Sequence, residues 1–96
     1  MSCYFIAKIT IHDRELYAKY ESGFDEIFPR YDGKVVAVDD SPVPLEGSPS
    51  CTRVVVIRFP SEAEARRWYD SPEYRALAAH RWRASDAEAL LVHGRT

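Results

Sequence analysis

Cysteine and glycine are scarce in this 96-residue chain, which holds two of the first and four of the second. Neither Cys3 nor Cys51 belongs to a CxxC pair or a Cys/His cluster, which argues against a structural zinc site. No glycine-rich loop can cradle a phosphate, and no serine or cysteine stands in a nucleophile elbow. His12, His80 and His93 show no metal-ligand spacing and read as surface residues. No metal and no cofactor is therefore expected. An excess of one charge is missing too: 13 basic and 15 acidic residues leave a net charge of −2, with no long single-sign run. General nucleic-acid and anionic-membrane binders carry a basic excess, so neither partner is expected. No stretch reaches the roughly 20 apolar residues that span a bilayer. The opening MSCYFIAKITIHD has no positive leader region, and Lys8 breaks its apolar run, unlike a signal peptide. The expectation is a soluble cytoplasmic protein with reduced thiols.

What is present suits one small globular domain over residues 1–96, with 46% apolar residues. A chain this short buries a limited fraction of its surface, so a partner subunit would help it. Tyr4 to Ile11 is rich in β-branched and aromatic residues and predicts a strand. Asp13 then offers an N-cap with Glu15 in the first turn, and Leu16, Tyr17, Tyr20, Phe24, Ile27 and Phe28 recur at helical spacing. Gly23 sits inside that helix at a cost of about 1 kcal/mol. Pro29 and the following YDG end it.

Gly33 to Asp40 predicts a second strand, Ser41 to Ser50 a proline-rich loop, and Thr52 to Phe59 the clearest strand of the chain. Ser61 and Glu64 form an S-x-x-E capping box, placing Ala65, Trp68 and Tyr69 on an inner helical face. Pro72 cannot sit inside that helix but suits the start of another, with Ser71 as N-cap. Tyr74, Leu77, Ala78 and Arg81 then line one side, and Asp86 to Gly94 closes the chain as a fourth strand.

The order βαββαβ with right-handed crossovers puts strands one and three in the centre. The fold class is α+β: a ferredoxin-like sandwich, a four-stranded antiparallel sheet with helices on one face and the second helix broken at Ser71-Pro72. Cys3 and Cys51 then fall at opposite ends of the sheet, about seven residues apart at ~3.4 Å each, beyond disulfide reach. Both faces of the strands are largely apolar: Val55, Ile57 and Phe59 lie opposite Val54, Val56 and Arg58, and Phe5, Ala7 and Ile9 opposite Tyr4, Ile6 and Thr10. Two helices cover one face only, so a second copy is expected on the other, making a homodimer through the sheet.

This element order also fits an RNA-recognition module. The third strand, Arg53 to Phe59, lacks that module's internal stacking aromatics. Asp39 and Asp40 are adjacent and point to opposite faces of a strand end. The arginines hold more interest. Arg81 is directed inward and needs either an internal carboxylate, such as Glu46, Glu73 or an acid near the C-terminus, or a bound anion. Trp68, Tyr69 and Tyr74 serve either as core or as cavity wall.

RVVVIRFPS, WYDSPEY, LEG and the paired tyrosines of LYAKY together resemble the domain-of-unknown-function family 1330, from Tyr4 to Gly94. That family belongs to the dimeric α/β-barrel superfamily, so the resemblance implies a ferredoxin-like subunit pairing through its sheet into a barrel. It matches at Tyr17, Tyr20, Gly33, Glu46, Gly47, Arg53, Pro60, Trp68, Tyr69, Ser71, Pro72, Glu73, Tyr74 and Arg81. Lys8, Arg58 and His93 depart from it, standing where acids are usual. The resemblance supplies no activity. Relatives in the superfamily include cofactor-free monooxygenases, haem-binding enzymes and lactone isomerases, which use the space between sheet and helices.

The resulting expectation is a homodimer binding a small organic molecule, aromatic or anionic, in a sheet–helix cavity. Its pocket candidates are Tyr20, Arg53, Trp68, Tyr69, Tyr74 and Arg81, with the two arginines as polar anchors. The alternatives are a cofactor-independent monooxygenase or isomerase, and a non-catalytic structural or stress-related dimer.

Overall fold

The structure is a computed structural model that describes residues 2–48 and 50–95. The loop expectation at Pro49 lies outside the described residues. Strand β1 (Cys3–Ile11) leads to helix α1 (Arg14–Ile27), and β2 (Lys34–Asp39) to β3 (Arg53–Phe59). Helices α2 (Glu62–Tyr69) and α3 (Pro72–Ala84) precede β4 (Ser85–His93). The sheet order is β2-β3-β1-β4, antiparallel throughout, so the expected ferredoxin-like arrangement holds with β1 and β3 central.

Each helix starts where a side chain can satisfy free backbone N–H groups. The Asp13 carboxylate accepts from the Leu16 N–H at 3.1 Å. The Ser61 hydroxyl accepts from the Glu64 N–H at 3.2 Å, while the Glu64 carboxylate takes Arg67 at 3.1 Å. Ser71 does two jobs. Its hydroxyl donates to the Trp68 carbonyl at the end of α2 and accepts from the Tyr74 N–H at the start of α3. One buried side chain thus closes one helix and opens the next, with Pro72 at the first helical position, where no N–H is needed. Pro29 falls within a 3₁₀ turn, Phe28–Arg30, that finishes α1.

The core lies between the sheet and the helices. Trp68 is fully buried and meets six rings: Phe5, Phe24, Phe28, Phe59, Tyr69 and Tyr74, at centroid distances of 4.4 to 6.3 Å. Rings in this range contribute attraction beyond area burial. Gly23 has a packing reason. A Cβ there would come within 2.3 Å of Leu77 Cδ1, so its absence lets α1 close on α3. The turn at Gly33 is closed in on two sides, since a Cβ would come within 2.5 Å of both the Phe28 and Phe59 rings.

The other sheet face carries Tyr4, Ile6, Val54 and Val56, half-buried, with Leu90 and Val92 exposed. Lys8 and Arg58, two of the departures from the family pattern, are exposed. Cys3 and Cys51 are free thiols, and the register pairs Cys3 with Phe59 and Ile9 with Arg53, which puts them at opposite ends of the sheet.

Candidate functional site

A cavity of about 330 Å³ opens between the sheet and α1. Its floor is Phe5, Ala7 and Ile9 of β1 with Val55 and Ile57 of β3. Tyr17, Tyr20 and Phe24 of α1 form the opposite wall, and Arg81 of α3 reaches in from the side. Arg53, Glu21 and Asp25 supply further polar lining. Strand β2 contributes Val35 and Val38. Strict alternation would put these two on opposite faces, since they lie three residues apart. A register shift between Val35 and Ala37 inserts Val36 as a bulge, so Val35 pairs with Ile57 and Val38 with Val55, both on the cavity side. An apolar floor with a few convergent polar groups is the usual make-up of a small-molecule site.

Arg81 is only 3% exposed. Its guanidinium lies 5.7 Å from the centre of the Tyr20 ring, a cation–π contact. Among the described residues no carboxylate is within ion-pair distance of it. Of the acids offered as internal partners, Glu73 instead accepts a hydrogen bond from the Tyr31 hydroxyl, and Glu46 is exposed. Burial is the largest influence on Arg81 and works against its charge, while Tyr74 and Tyr20, once ionised at high pH, hold its pKa above the ordinary guanidinium value. Both phenols are pushed up by burial, Tyr20 well above the ordinary phenol and further raised by Tyr74 beside it. At neutral pH they are therefore protonated and offer Arg81 dipoles rather than charges. Their hydroxyls meet at 2.7 Å.

Arg53 has different company. Its guanidinium donates to both Asp40 oxygens at 2.6 and 3.2 Å and to Glu21 at 2.7 Å, and it lies 5.2 Å from the Tyr17 ring centre. These partners hold its pKa above the ordinary value, Asp40 first. The fork ties β3 to the end of β2 and to α1 at the cavity rim. Three of its N–H donors are taken by these carboxylates.

The structure thus brings Tyr20, Arg53 and Arg81 together at one cavity. Trp68 and Tyr74 stand behind it in the packed core, Tyr74 reaching the cavity wall through Tyr20. Tyr69 lines grooves on the β4 side instead. Tyr17, Val35 and Val38 complete the wall and were not singled out as site residues from sequence. For Tyr17 a signal existed, since it lies one helical turn before Tyr20 on the same apolar face. His93, the third departure from the family pattern, pairs with Glu62 of α2 at 2.7 Å, away from this cavity. No helix is long and apolar enough to cross a membrane among the described residues.

Comparison with solved structures finds the same fold repeatedly. RPA0582, a protein of unknown function from Rhodopseudomonas palustris, is 21% identical, covering 99% of this chain and 83% of that one, with a TM-score of 0.81. SnoaB, described as a cofactor-independent oxygenase from Streptomyces nogalater, is 21% identical over 99% of this chain and 94% of its own, with a TM-score of 0.68. A dimeric ferredoxin-like protein of unknown function from Thermobifida fusca is 18% identical over 96% and 90%, with a TM-score of 0.66. At these identities the likeness establishes the fold. No curated protein matches the chain in sequence. A family model does match, over residues 2–95, and the chain belongs to that family, the domain of unknown function DUF1330.

Proposed function

We propose that this protein binds a small organic molecule in the cavity beneath α1, with Arg81 as its polar anchor. One observation carries the reading: a buried guanidinium without a carboxylate partner among the described residues faces an apolar cavity. Removing a cation from water costs several kcal/mol unless something compensates it. A cation–π contact and neutral phenols compensate in part. An anionic or carbonyl group of a ligand would complete the shell. Arg53 has a framework role here rather than an anchoring one, because Asp40 and Glu21 already occupy its donors. The test is mass spectrometry of small molecules extracted from purified protein, wild type beside Arg81→Met. A compound retained by the wild type and lost from the variant supports the reading. Equal retention by both would remove Arg81 from it.

A second reading is enzymatic. Arg81 and the Tyr20–Tyr74 hydroxyl pair are hydrogen-bond donors in apolar surroundings, where they could stabilise negative charge developing on a substrate. SnoaB, similar in fold, is described as a cofactor-independent oxygenase. Oxygen uptake in step with loss of the extracted compound would support catalysis, and no uptake would leave a binding protein.

The protein works in this reading as a homodimer, sheet against sheet. The apolar centre of the outer face, Tyr4, Ile6, Val54, Val56, Leu90 and Val92, supports it, and the Thermobifida fusca neighbour is described as dimeric. Sedimentation should find a species of twice 11.0 kDa. A monomer at micromolar concentration would reject the dimer.

A further inference from the structure

The balance of charge around the cavity says more about the ligand. Arg81 is a buried positive charge without a carboxylate among the described residues. The second arginine on the wall adds no net attraction, since Asp40 and Glu21 together outweigh its one charge. Asp25 adds another acid to the lining. The interior can therefore neutralise one negative charge, and a second would meet carboxylates. The rest of the cavity is apolar, lying between the sheet and the Tyr17, Tyr20 and Phe24 rings of α1. Its volume of about 330 Å³ lies at the small end of the ~300–1,000 Å³ usual for ligand sites.

We infer that the cavity selects an apolar monoanion of one or two rings, its negative group on Arg81 and its body between the β-sheet floor and the α1 rings. Neutral isosteres leave the guanidinium uncompensated. Dianions place their second charge against Glu21 or Asp25. This inference rests on the proposal that the cavity binds small molecules, and it adds the chemical class.

Titration at pH 7 with three matched probes tests both levels separately: 2-naphthoate, the neutral 2-naphthalenemethanol and naphthalene-2,6-dicarboxylate. The expected result is binding of 2-naphthoate at least about tenfold tighter than either other probe, with the advantage over the neutral probe lost in Arg81→Met. Loss of that advantage through weaker binding of 2-naphthoate assigns the discrimination to Arg81, and circular dichroism of the variant checks that it is folded. Equal affinity for the monoanion and the neutral probe would overturn the inference while leaving a binding cavity in place, as would preference for the dianion. Failure of all three probes to bind folded wild-type protein would overturn both the inference and the binding proposal beneath it.

Discussion

The space between sheet and helices has two ends, one packed and one hollow. At the packed end Trp68 meets six aromatic rings, and even the missing Cβ of Gly33 is needed to fit Phe28 and Phe59. At the hollow end the floor includes the small Ala7 and Val55, and the bulge in β2 turns two valines inward where larger side chains could have filled the gap. The same sheet floors both ends, so side-chain size, together with the bulge in β2, separates core from cavity. The difference also explains why the aromatic residues around the helix junction divide as they do. Trp68 and Tyr74 hold the fold together, while Tyr20 shares its hydroxyl with the core and its ring with the cavity.

Substitutions should separate the two ends by size of effect. Trp68→Ala empties the packed end and should cost about 3–5 kcal/mol in urea unfolding. A loss below about 1 kcal/mol would mean that this cluster is not the core. Gly33→Ala pushes a methyl into two rings and should cost about 1–3 kcal/mol. Ala7→Leu is also a small-to-large change, but its methyls enter the void. It should cost less than about 1.5 kcal/mol while weakening retention of any small molecule at least tenfold, read by mass spectrometry. Similar losses of stability from Gly33→Ala and Ala7→Leu would erase the distinction between the ends.

The two arginines offer a finer test. Arg53→Met breaks partly exposed ion pairs, which are screened, and should cost about 1 kcal/mol or less. Arg81→Met removes a buried charge that no described carboxylate pairs, so it should leave the melting temperature unchanged or raise it. A large loss from Arg81→Met would mean that an internal partner holds it. The smallest effect is acid dependence. The Arg53 hydrogen bond is the main force holding the Asp40 carboxyl below its ordinary value of 3.8. A carboxyl depressed in the folded state stabilises above its unfolded pKa, and that contribution is lost as pH falls through the folded one. Wild type should therefore lose part of its stability below about pH 4 that Asp40→Asn never had, and parallel acid-unfolding curves would rule this out.

Much of the fold was legible because its signals are local. Asp13, Ser61 and Ser71-Pro72 mark helix starts within three or four residues of the groups they satisfy, and all three caps formed. The inner set on α3, Tyr74, Leu77, Ala78 and Arg81, followed from helical period and is buried. The wall of the cavity was less legible. Val35 and Val38 depend on a bulge, and period-two reading cannot place both on one face.

By itself the sequence determined the order of elements, their caps, the central strands and the inward direction of Arg81. These rest on spacing along the chain and, for the central strands, on the handedness of the crossovers. The tertiary structure decided which of the two arginines meets no carboxylate among the described residues. Arg53 finds Glu21 from 32 residues away and Asp40 from 13, Tyr20 finds Tyr74 from 54, and Arg81 finds no carboxylate among the described residues. Such pairings depend on how α1, α3 and the sheet come together. The two arginines look alike in composition, and only three-dimensional packing turned one into a rim clamp and left the other facing an apolar cavity.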